Sequence, residues 1–174
     1  MAATVQIAET NGAAPGTDTV DINNLNFGSS DEANLDPAAN PITAQADGHS
    51  FEKWIRVYIS DLGGSTQVDN LKVWVSDLGG GYATGESIST NLRETGYSQA
   101  SYADPVQSDS AVADQTVPTT EPSGANLGIG GSLTGAVTSA PAFSDYAVLQ
   151  MDVTELTPAG PVNQKTITFQ WDEV

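Results

Sequence analysis

Glycine and proline interrupt this chain almost everywhere. Seventeen Gly and nine Pro divide it into open windows of mostly 8–16 residues, the longest being residues 142–157. A long helix has little room in such a sequence. The abundance of Ser, Thr, Val and Ile between the breaks favours strands and turns.

The best strands show period-2 alternation. Over residues 49–60, Phe51, Lys53, Ile55, Val57 and Ile59 share one face, and Glu52, Trp54, Arg56 and Tyr58 the other. Over residues 67–76, Leu71, Val73 and Val75 oppose Asn70, Lys72 and Trp74. The short Gly-rich link between these runs predicts a hairpin. Its Ser60-Asp-Leu-Gly-Gly64 recurs at 76–80 and reads as reused turn chemistry. A second hairpin is expected near the C-terminus. There Ala147, Leu149, Met151 and Val153 alternate with Tyr146, Val148 and Gln150, the segment 157–161 turns, and Ile167, Phe169 and Trp171 line one face of the next run. Val5–Ala8 and Val20–Phe27 are weaker strand candidates, and 28–48 reads as a loop.

These features predict an all-β protein, an antiparallel β-sandwich or jelly roll. The expected organisation is an acidic N-terminal arm over 1–48, which orders on a neighbour, and a sandwich domain over 49–174. The domain includes a Gly/Ser/Thr-rich excursion at 79–142, which is too long for a structureless loop and should carry short strands.

Charge narrows the function classes. Twenty-two acids face five bases, a formal charge of −17. Such a chain is repelled by nucleic acid, so no nucleic-acid partner is expected. No run approaches the roughly 20 apolar residues of a membrane helix, and the opening MAATVQIAETNG has neither the basic nor the apolar region of a secretory signal. The absence of cysteine removes disulfides and thiolate chemistry, and the single histidine removes multi-histidine metal sites.

The catalytic motifs are near misses. Gly130-Gly-Ser-Leu-Thr134 lacks the closing glycine of a nucleophile elbow, and His49 is its one possible base. Gly128-Ile-Gly-Gly-Ser-Leu133 fails as a phosphate cradle. Asp31, Glu32 and Asp36, and Asp104 with Asp109, lack calcium-loop spacing. The expectation is a non-enzymatic protein with no cofactor.

One cluster stands out. In the expected register Trp54, Arg56, Tyr58, Lys72 and Trp74 share one sheet face. That face has three readings: a second inner layer with snorkelling tips, a protein–protein interface or a sugar-stacking platform. Residues 49–82 hold three of the five cations and are net −1, so copies of an acidic chain would meet there most readily.

The runs 50–56 (SFEKWIR), 70–74 (NLKVW), 119–123 (TTEPS) and 126–133 (NLGIGGSL), with 145–151 (DYAVLQM) and 158–173 (PAGPVNQKTITFQWDE), resemble virion structural proteins of tailed phages. The resemblance spreads over most of residues 20–174 and carries no catalytic signature and no site residues. It implies a small β-rich component of a virus particle assembled in the host cytoplasm. The implied role is a capsid decoration protein, oligomeric and bound to the major capsid protein, or a neck, tail or fibre-base protein bound to other virion proteins. A carbohydrate- or calcium-binding sandwich module is the alternative of another class.

Overall fold

The computed structural model describes residues 1–160 and 163–174. No helix occurs among them, and the strands form two antiparallel sheets packed as an all-β sandwich. The strands are β1 (Thr4–Asn11), β2 (Thr17–Val20), β3 (Gly48–His49), β4 (Lys53–Asp61), β5 (Val68–Asp77), β6 (Glu86–Thr90), β7 (Gln115–Thr116), β8 (Ala136–Val137), β9 (Ala142–Phe143), β10 (Ala147–Val153) and β11 (Thr166–Glu173). The larger sheet runs β2-β1-β4-β10-β6-β7, with β3 added on β10 and β9 on β4; the smaller runs β11-β5-β8.

The alternation places the core as expected. Ile55, Val57 and Ile59 of β4 meet Leu71 and Val73 of β5 in one cluster, each at most 1% exposed. Burying side chains of this size contributes about 1.5–3 kcal/mol apiece. A second cluster joins Val75 to Ile88, Leu149, Met151 and Val153.

Neither expected hairpin forms. β4 lies in the larger sheet and β5 in the smaller, so residues 62–67 carry the chain across the core. β10 and β11 are split in the same way; Pro161 and Val162, within the expected turn and strand, lie outside the described residues. Alternation alone does not decide between the two arrangements. A strand turns its apolar side inward whether its neighbour in sequence lies beside it or opposite it. The reused turn does hold: Asp61 Oδ1 accepts from Gly63 N at 2.9 Å and Asp77 Oδ1 from Gly79 N at 2.8 Å, with both glycines at positive φ.

The N-terminal segment is also corrected. β1 is an interior strand, paired with β4 from Thr4↔Asp61 to Thr10↔Trp54 and with β2 on its other side. Ala8, Glu9 and Leu35 are buried. Residues 1–48 therefore belong to the sandwich; the alternation of Val5, Ile7 and Glu9 continues the inner layer of β4. The run Val20–Phe27 gives only the end of β2.

The excursion carries β6, β7 and β8 and roofs the outer face of the larger sheet, where Ala100, Tyr102, Val112 and Ala113 pack on Trp54 and Val148. Gln150 anchors this roof. Its amide donates to Ser50 O and Ser108 O, each at 2.9 Å, and accepts from Ser110 N at 2.9 Å. Asn126 closes one side of β5, exchanging hydrogen bonds with Val73 N and Val73 O, both at 2.8 Å.

Candidate functional site

The five residues singled out by patterning fall on opposite outer faces. Trp54, Arg56 and Tyr58 project from β4 in the larger sheet, and Lys72 and Trp74 from β5 in the smaller. A common face required the hairpin, so the cluster dissolves with it. Trp54 is fully buried beneath the roof, edge-on to Tyr102 and Tyr146 at 5.2 and 5.4 Å between ring centroids. It is a core residue with no surface to offer. The Arg56 guanidinium lies 4.0 Å from the Phe143 ring centre and 4.5 Å from that of Tyr146, and pairs with Asp18. Tyr58 stacks obliquely on Phe143. Lys72 pairs with Glu121 at 2.9 Å, and Trp74 is half-buried.

All five Lys and Arg are held in ion pairs within the chain: Lys53–Glu9, Arg56–Asp18, Lys72–Glu121, Arg93–Asp114 and Lys165–Glu86. The three cations of residues 49–82 thus lie in three places: one inside the sandwich and one on each outer face. No near-neutral patch forms from them. The remaining seventeen carboxylates have no Lys or Arg within ion-pair distance among the described residues, so the surface is predominantly negative.

The histidine is similarly engaged. His49 Nδ1 lies 2.8 Å from Asp152 Oδ1 and Nε2 lies 2.9 Å from Asp47 Oδ1. Burial disfavours the imidazolium, but hydrogen bonds and charge from both carboxylates outweigh it and raise the pKa. Ser89 Oγ donates to the other oxygen of Asp152. The order is Ser–Asp–His, with the acid in the middle, and neither ring nitrogen is free to take a proton from a serine. Ser132, of the near-miss elbow, bonds instead to Thr134.

An apolar cleft of about 1060 Å³ opens between the sheets. Ile7, Ile88, Met151 and Val153 form its floor on the larger sheet, and Ile167 and Phe169 of β11 its opposite wall. Segments 22–27 and 37–44 border it. It exists because the smaller sheet stops at β11 while the larger continues beneath. Patterning put Ile167 and Phe169 on an apolar face, and Ile22, Leu25 and Phe27 were visible as a weak strand. Nothing local showed that these segments, far apart in sequence, border one opening.

Comparisons of the chain with protein-family models, with curated proteins and with solved structures give no match.

Proposed function

We propose that this chain is a non-enzymatic structural protein of a tailed-phage particle, and within that class a capsid decoration protein that docks on coat subunits. The resemblance of its strand and turn phrases supports the class. The observation that carries the reading is the neutralisation of every Lys and Arg inside the chain. A predominantly negative surface keeps free copies apart and steers the protein toward basic or apolar partners. Multiple copies docked on a lattice would each need only modest affinity, because bridging neighbouring subunits multiplies retention through effective concentration.

Sedimentation of the protein with undecorated capsids tests this. Saturable co-sedimentation at a stoichiometry matching the coat lattice, weakened by salt, is the expected result. A few copies per particle would move the role to the neck or tail. A folded protein left wholly in the supernatant would overturn the decoration role.

A further inference from the structure

Among the described residues, the edge of the smaller sheet beside the cleft is unpaired. β11 pairs with β5 alone, and among the described residues no strand lies on its other side. Which backbone groups face outward follows from β5. In an antiparallel pair, directly opposed residues either bond each other or both point away. Val73 spends its N–H and C=O on the Asn126 side chain, and Val75 N donates to Pro118 O, both on the side of β5 away from β11. Their opposed partners are Phe169 and Ile167. The backbone groups of Ile167 and Phe169 therefore point to the free edge, while their side chains line the cleft. Both residues are half-buried, where unpaired amide groups are costly.

Proteins usually blunt such an edge with charge, proline or bulges. The stretch Thr166–Trp171 has neither charge nor proline. Register shifts between Thr166 and Ile167 and between Gln170 and Asp172 leave the short run between them regular and open.

We infer that β11 accepts a strand from a partner protein: an extended segment with apolar residues at alternate positions and basic residues flanking them. Its backbone bonds Ile167 and Phe169, and its inward side chains enter the cleft beside Ile7 and Met151, a mode of recognition in which main-chain bonds supply affinity and pockets supply specificity. Charge selects the occupant. A second copy brings another −17 to the same edge, whereas a basic segment is drawn to it. The inference rests on the docking reading above and names the surface that docks.

The test uses two arms. In the first, the capped peptide KVTVTVK is titrated into the isotope-labelled protein. Saturable shifts centred on the Ile167 and Phe169 amides are expected, with binding at least tenfold weaker for EVTVTVE and for a proline-interrupted KVTPTVK. Folded protein showing no shift at those amides with any peptide overturns the inference, as does a self-associated protein whose copies cover β11. In the second, Phe169→Pro removes an outward N–H without touching the ladder to β5, and Ala38→Trp obstructs the cleft mouth from an exposed position. Variants that melt like wild type yet bind capsids at least tenfold more weakly support strand addition. If wild type binds and the folded Ala38→Trp variant binds equally well, the inference fails and the docking reading stands. If wild type does not bind capsids, the docking reading fails, and the peptide arm alone decides the edge.

Discussion

Lys53 Nζ lies 2.8 Å from Glu9 Oε1 on the inner face of the larger sheet, with the two side chains 1% and 0% exposed. Lys53 also donates to Glu32 O at 2.7 Å, and Asn11 donates to Glu9 Oε1 at 2.9 Å, while Glu9 Oε2 has no partner. Desolvation is the largest influence on Glu9 and raises its pKa against the opposing pull of Lys53. Removing one member strands a buried charge, at about 3–5 kcal/mol, whereas replacing both with apolar groups is often neutral. Lys53→Met alone is therefore expected to destabilise by about that amount, and Lys53→Met with Glu9→Leu by less than half of it. Urea unfolding of both variants at neutral pH measures this. The sign with pH follows from the raised Glu9 pKa: the folded state holds the proton more tightly, so stability falls as pH rises from the ordinary Glu value through the folded one. Without Lys53 the Glu9 pKa rises further, so the loss in Lys53→Met should shrink as the medium is acidified from the variant's folded value towards the wild-type folded value.

The repeated turn gives a steric prediction. Gly63 has φ +61, and a Cβ there would strike the backbone carbonyl of Ala2. Gly12 has φ +84, yet a Cβ would meet nothing within 4 Å. Gly12→Ala should cost only backbone strain, about 1 kcal/mol. Gly63→Ala adds the displacement of the first residues and should cost about 2–4 kcal/mol. Equal midpoints for the two variants in urea would refute the steric account.

How far the residues alone reach is clear from the same turn. Asp61 and Gly63 announce a reversal, and Ile55, Val57 and Ile59 announce which side of β4 is buried. Neither says whether the next strand returns to the same sheet, because an inward-facing Val73 satisfies both arrangements. The crossing is a non-local outcome, set by what else competes for β4's edges. Val5, Ile7 and Glu9 claim one edge through β1 and Ala147–Leu149 the other. Patterning leaves the burial of Trp54 as one of three readings of its face; its covering rings, Tyr102 and Tyr146, come from segments 48 and 92 residues away in the chain, which no local pattern joins to it. The cleft needed both facts together, the short smaller sheet and the N-terminal segment lying across its margin.

Trp54 and Trp74 should separate cleanly in stability. Patterning places both on one sheet face, but Trp54 is enclosed by Tyr102, Tyr146 and Val148, while Trp74 is half-buried. Deleting a fully buried Trp costs about 3–5 kcal/mol. Trp54→Ala is expected in that range and to lose near-ultraviolet circular dichroism from its aromatic neighbours. Trp74→Ala is expected to cost at most about half as much and to keep that signal. A Trp54→Ala variant as stable as Trp74→Ala would contradict the roofed arrangement.

His49 offers a probe that no other residue can confuse, since the chain has one imidazole. Both ring nitrogens are held by carboxylates, one on β10 and one in the preceding loop. Burial opposes the charge, but hydrogen bonding and the charges of Asp152 and Asp47 prevail, so the folded pKa lies above the ordinary histidine value. A raised His pKa stabilises the fold fully below the unfolded value, and the contribution is lost as pH rises through the folded value. The His49 ring signal followed by NMR should therefore titrate with a midpoint above about 6.5, and Asp152→Asn should lower it. The stability difference between wild type and His49→Gln should be greater at pH 5.5 than at pH 9, measured by urea unfolding at each. A His49 midpoint at or below that of a free imidazole side chain would show that the two carboxylates do not hold the ring in its charged form.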